Sequence, residues 1–251
     1  MNSGHSLPTN LEAWLNYIEA LHSKDIELGL QRVSDVAHRL GLDAKFPIIS
    51  VAGTNGKGST CAMLSQIYQA AGYRVASYTS PHLIHYQERI RVNQNMISEQ
   101  QACAAFNAVE NARQSTALTY FEFGTLAAMW HFQQAEVDVA ILEIGMGGRL
   151  DAVNIFEPDC SLVTSIDLDH MEYLGPTREA IAFEKAGVFR AHKPAICGDR
   201  NPPQSLLDHA KHIDSHLYLI GRDFDYRHDT DSWEFNCADL NLQNLPMPSL
   251  K

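Results

Sequence analysis

The sequence predicts an α/β fold: a mostly parallel sheet flanked by helices. Three observations carry that expectation. Short, continuously apolar runs alternate with segments of helical periodicity, as strands buried on both faces of a parallel sheet require. One such run, Ile48-Ile49-Ser50-Val51, passes through the glycine-rich "AGTNGKGST" straight into a helical pattern. Two later runs, 137–143 and 160–166, end in Glu143 and in the acidic "DLDH", so polar chemistry gathers at strand ends.

Taken in order, Leu11, Trp14, Leu15, Ile18 and Leu21 recur at helical spacing behind Thr9 and Asn10, predicting an amphipathic helix over 10–22. A second helix is expected over 30–40, stopped by Gly41, and a strand over 46–51. Residues 57–71 read as a helix ended by Gly72, and 74–79 as a strand followed by "SPHL". Beyond "ERIRVNQNMIS" a helix is expected over 99–113. Thr119 with Glu122 three residues later is a capping box for a helix through 135. The helix after Pro176 should end near Gly187, and 194–198 and 216–221 read as strands with a helix between them. The rest, from "DFDYRHD" onward, reads as short β or coil. The expected division is therefore an α/β unit over 1–222 and a β/linker segment over 223–251.

The 251 residues are 45% hydrophobic, enough for a substantial core. No apolar run approaches the ~20 residues of a membrane span, and "MNSGHSLPTN" lacks the layout of a secretory signal. Five scattered cysteines without metal-ligand spacing fit reduced thiols and a cytoplasmic setting. A net charge of -11 disfavours nucleic acid and anionic membrane as partners, while leaving room for a small anionic substrate held by local basic groups.

A strand entering glycines and then a helix points several N–H groups and a helix N-terminus at one place, an anion site. Lys57 adds a point charge, and Ser59 or Thr60 a hydroxyl near a cation. The spacing departs from G-x-x-x-x-G-K-[ST], because counting back from Gly56-Lys57 reaches Val51 and Gly58 intervenes before Ser59. By itself the loop fits a phosphate cradle and a plain strand-to-helix turn equally. Glu143, at the end of "VAILE", stands where a phosphate-transfer enzyme carries a metal-binding acid. His170, flanked by Asp167 and Asp169, is a metal-ligand candidate, although both acids serve equally as helix caps. Lys185, read alone, is a favourable charge near a helix C-terminus. Arg89 and Arg91 of "ERIRVN" share one face of an extended segment, ordinarily solvated and sometimes an anion contact.

Assembled, "HSKDIELGLQRV", "VAGTNGKGST", "YTSPHL", "TYFEFGTLAA", "LEIGMGGRLDAVN", "SIDLDHMEYLG" and "REAIAFEKAGVFR" closely resemble the folylpolyglutamate synthase/dihydrofolate synthase family of the Mur ligase superfamily. They run in family order from about Trp14 to Gly198. The resemblance implies a P-loop NTPase-like Mur ligase central domain, with ATP phosphates held by Thr54, Asn55, Gly56, Lys57, Gly58 and Ser59. It implies Mg2+ at Ser80 and Glu143, and a second ion at His170 and Lys185, the lysine as a carbamate. Catalysis would rest on Lys57, Glu143, His170 and Lys185. Glu27, Leu28, Gly29 and Leu30, with Phe121, Glu122, Phe123, Arg149, Asp151 and Asn154, would line the pterin-side pocket.

The implied reaction is ATP-dependent ligation of L-glutamate to dihydropteroate and folates through an acyl phosphate, by a monomer. Members of the family carry a second α/β domain beyond this one, so the chain is expected to be a truncated form. The rival expectations are a Mur-type peptidoglycan-precursor ligase and a nucleotide-binding module without ligation. A generic P-loop kinase is disfavoured by the loop spacing.

Overall fold

In a computed structural model, which describes residues 7–24 and 26–247, eight strands form one sheet and three form a second. The chain runs α1 (Leu11–Glu19), α2 (Gln31–Arg39), β1 (Ile48–Ala52), α3 (Lys57–Ala70), β2 (Val75–Tyr78), β3 (Ile90–Val92) and β4 (Asn95–Met96). It continues through α4 (Glu99–Arg113), α5 (Tyr120–Gln134), β5 (Val139–Glu143), β6 (Cys160–Val163), α6 (Met171–Leu174) and α7 (Arg178–Ala186). Last come β7 (Pro194–Cys197), α8 (Gln204–His212), β8 (His216–Leu219), β9 (Phe224–His228), β10 (Ser232–Cys237) and β11 (Leu240–Pro246).

The large sheet has the order β4-β3-β2-β5-β1-β6-β7-β8, parallel from β2 to β8. Its two faces divide the strand residues by parity. Ile48, Ala52, Ala76, Tyr78, Ala140 and Leu142 join the larger core, whereas Ile49, Val51, Val75, Val139 and Ile141 pack toward α3 with Cys61. Period-2 alternation with both faces apolar is why these strands read as continuous hydrophobic runs.

The helix starts follow the sequence closely. Asn10 caps α1 through Ala13 N–H, and the boxes Ser98/Gln101 and Thr119/Glu122 close reciprocally on α4 and α5. The first helix stops at Glu19 rather than continuing to residue 22. The stretch "ERIRVNQNMIS" holds an unanticipated edge hairpin, with Val92 paired to Asn95 across Asn93 and Gln94. Both turn residues have positive φ, 47° and 63°, the geometry whose twist matches paired strands. The tail forms the antiparallel sheet β11-β10-β9. Among the described residues no helix is long and apolar enough to cross a membrane.

Strands β1, β2, β5 and β6 all deliver their carboxyl ends to one edge of the sheet. In an open α/β sheet that edge is where ligands bind.

Candidate active site

The loop after β1 is fixed by its neighbour β6. Thr54 N–H donates to Ser165 O at 2.8 Å, and Asn55 N–H donates to Ser165 Oγ at 3.2 Å. Thr54 Oγ1 donates to Asp167 O at 3.2 Å and accepts from Asp167 N–H at 3.0 Å. Asp167 thus braces the loop through its backbone, while its Oδ1 accepts from Leu168 N–H at 2.8 Å and α6 has no side-chain cap. Gly53 (φ 142°) and Gly56 (φ 84°) adopt backbone that side chains resist, and Gly56 caps α3. Lys57 opens α3, and its Nζ donates to Gly53 O at 3.1 Å and Thr54 O at 3.3 Å. The ammonium is therefore folded over the loop, beside the free N–H groups of the helix start, where Gly58 and Ser59 follow.

Glu143 ends β5 almost fully buried, and one carboxylate oxygen accepts from Ser80 N–H at 3.1 Å. Burial pushes its carboxyl above the usual value; the Ser80 N–H, Lys57 and Arg89 pull the other way. A Cβ on Gly58 would stand 3.8 and 4.0 Å from the two Glu143 oxygens, so the helix N-terminus and the carboxylate face each other across a gap. Hard oxygen donors beside a phosphate cradle fit a divalent ion. Among the described residues no three His, Cys, Asp or Glu side chains cluster as a metal site. A magnesium bound through one carboxylate, a hydroxyl and phosphate oxygens needs no such cluster.

Lys185 lies in the last turn of α7, 2% exposed. The glycines after β5 bring it there, because a Cβ on Gly148 would meet Glu184 O at 2.6 Å and Lys185 O at 3.0 Å. Burial, then Lys57, lower its pKa to about 8, and only Asp169 opposes them. Its amine is thus partly neutral near neutral pH, the form that adds carbon dioxide to give a carbamate. An ammonium cannot ligate a cation; the carbamate oxygens fit one.

A cavity of about 820 Å³ opens beside this corner, and Lys57, Ser80 and His170 all border it. The same cavity meets Glu27, Leu28, Phe121, Glu122 and Asp151. Arg32 organises that wall: its Nε lies 2.9 Å from Glu122 and its Nη1 donates to Glu27 Oε1 at 3.1 Å. Asp151, 5% exposed, accepts from Met146 and Val153 N–H, both at 2.9 Å. Burial raises its carboxyl to about 7, so near neutrality it can accept or donate a hydrogen bond.

Five expected pocket residues do not border the cavity. Phe123 is fully buried against Phe106, their rings 5.8 Å apart, because two positions along a helix turn it away from Phe121. Arg149 pairs with Glu184 at 2.8 Å and lies over Phe183. Asn154 donates to Arg149 O and Gly187 O and accepts from Arg190, bracing the segment that carries Lys185. Gly29 donates to Leu150 O at 3.4 Å, and Leu30 caps α2. Arg89 and His82, by contrast, do border the cavity. The arginine's signal was its place in "ERIRVN", which alternation alone could not distinguish from a solvated face.

The Mur ligase middle domain model matches residues 51–236. The chain belongs to the Mur ligase family. Within the family it is 51% identical over 239 residues to the dihydrofolate synthase/folylpolyglutamate synthase of Escherichia coli K12, covering 95% of this chain and 57% of that protein. The structure of E. coli FolC in complex with DHPP and ADP superposes with a TM-score of 0.93 at 51% identity, covering 96% of this chain and 58% of that one. A bifunctional folylpolyglutamate synthase/dihydrofolate synthase with Mn, AMPPNP and L-glutamate bound gives 0.91 at 47% identity, with 96% and 59% covered. This Mur ligase chain therefore spans a little over half the length of the curated relatives it matches.

Proposed function

We propose that the chain binds ATP and a divalent cation at the β1–α3 loop and works in ATP-dependent ligation of L-glutamate to dihydropteroate and folates. The observation that carries this is one cavity bordered by both Lys57 with Ser80 and Asp151 with Glu122. The relatives' complexes with ADP, DHPP, AMPPNP, Mn and L-glutamate support the same reading.

On this reading the substrate carboxylate oxygen attacks the γ-phosphorus. A C–O–P linkage forms, the bond to the β,γ-bridging oxygen breaks, and ADP leaves with that electron pair. The glutamate amine then attacks the acyl carbon. A C–N bond forms, the acyl C–O bond breaks, phosphate departs and the amine loses a proton. Loop amides and Lys57 hold the phosphates in line and offset charge as it spreads over the transferring group. Asp151 and Glu122 give carboxyl partners to the N–H groups of a pterin, and Phe121 gives an aromatic face. Magnesium, when bound at Ser80 and Glu143 and at His170 with carbamylated Lys185, supplies further positive charge to the phosphates.

An assay of phosphate release from ATP with dihydropteroate and glutamate tests the reading. Release that needs both acceptors supports it. Nucleotide and pteroate affinity with no phosphate release would count against ligation and leave binding alone.

A further inference from the structure

Arg89 is the cavity's unexplained cation. It ends the short turn 86–89 just before β3, and it is half-buried beside the same cavity as Lys57. Its Nε donates to His82 Nδ1 at 2.8 Å. Its guanidinium lies over two aromatic rings, 5.7 Å from the Tyr86 centroid and 5.6 Å from that of Tyr120. Among the described residues neither terminal nitrogen has a hydrogen-bond partner, and no carboxylate pairs with the group. Behind this cavity's wall the guanidinium of Arg32 is already paired with Glu27 and Glu122.

The surroundings hold this fork in place. Contact with two rings set at 83° to each other restricts the guanidinium's position, and the hydrogen bond to His82 restricts rotation about Nε. Burial, and then Arg89 itself, lower the His82 pKa from its ordinary value, which favours the ring form whose Nδ1 accepts. Thr79 N–H donates to Arg89 O at 2.9 Å and the next N–H, that of Ser80, donates to Glu143, which puts Arg89 toward the phosphate end. A planar pair of N–H donors in a fixed plane suits two-point binding of a carboxylate. Glu27, Glu122 and Asp151 on the other walls offer a carboxylate no counter-charge, the first two being paired with Arg32.

We propose that Arg89 is the carboxylate-binding residue of this cavity, gripping the acid group that becomes phosphorylated and holding it toward the Lys57 loop. The assignment rests on the ligase reading above. It adds a specific role for a side chain on the antiparallel edge, outside the parallel-strand ends that form the rest of the site.

Equilibrium titration of dihydropteroate, its carboxamide counterpart and ADP into the wild-type chain, Arg89→Gln and Arg89→Lys tests it. Arg89→Gln should weaken dihydropteroate about ten- to a hundredfold, the loss expected for charged hydrogen bonds. Carboxamide and ADP affinities should stay at the wild-type level, and Arg89→Lys, with charge but no fork, should fall between. Unchanged dihydropteroate affinity in Arg89→Gln overturns the assignment. Equal losses for acid and carboxamide overturn it too, since the residue would then act on the ring or on the fold. Should Arg89→Gln also lose ADP, Arg89→Lys decides: a loss confined to the acid supports the assignment, and wild-type affinity for the acid overturns it. Wild-type protein that binds neither dihydropteroate nor ADP overturns the ligase reading itself, an outcome distinct from the others.

Discussion

Gly53 and Thr164 approach so closely that a methyl group on Gly53 would stand 1.9 Å from Thr164 Oγ1. That threonine donates to Asn55 O at 2.7 Å, so the segment just after β6 also shapes the β1–α3 loop. At φ 142° the backbone would resist a side chain even in open space. Gly53→Ala should therefore destabilise the fold by about 2 to 4 kcal/mol, combining strain with overpacking. Denaturant unfolding checks this. ADP affinity in the folded fraction should fall as well.

Lys57→Ala should separate binding from folding. Among the described residues the side chain makes two hydrogen bonds, both to loop carbonyls, so unfolding free energy should change by no more than about 1 to 2 kcal/mol. AMPPNP affinity should drop at least about tenfold, because a charge-assisted phosphate contact is lost. Turnover, where the wild type shows it, should vanish. Calorimetric titration beside a thermal melt reads both.

Glu143→Gln keeps the shape and removes the charge of a buried carboxylate. The metal-dependent increment in AMPPNP affinity should disappear, while metal-free affinity stays within about twofold of wild type. A titration with and without Mn is the measurement. Retention of the increment would place the ion elsewhere.

Lys185 sets a pH dependence. Its folded value of about 8 lies below the ordinary 10.5, so between those values the unfolded chain holds a proton that the folded chain does not. Stability should then rise with pH across that window, by about 3 kcal/mol in all. Lys185→Met should flatten the rise and be the more stable protein below pH 8. Unfolding curves in carbon-dioxide-free buffer from pH 7 to 10.5 test this, because a carbamate would cancel the effect. In bicarbonate, native mass spectrometry should find one carbon dioxide adduct on the wild type and none on Lys185→Met.

The strand–glycine–helix unit was legible in the sequence because its signals are local: an apolar run, backbone only glycine adopts readily, a helix start. The capping pair Thr119 and Glu122 was legible for the same reason. What the sequence could not convey depends on partners far along the chain. Asn154 reads from the resemblance as a pocket residue, and only Gly187 and Arg190 make it a brace. The hairpin at Asn93-Gln94 lacks the usual glycine, which hid the antiparallel edge and, with it, the direction Arg89 faces.

The central claim is that triphosphate and cation meet where β1 becomes α3. The most direct test is a crystal of this chain soaked with AMPPNP and Mn, with the metal located by anomalous scattering. The expected map shows phosphates against the amides of residues 54–59, and Mn between them and the Glu143 carboxylate. A saturated crystal with that corner empty, or with nucleotide and metal bound elsewhere while Glu143 keeps only its Ser80 contact, would contradict the claim.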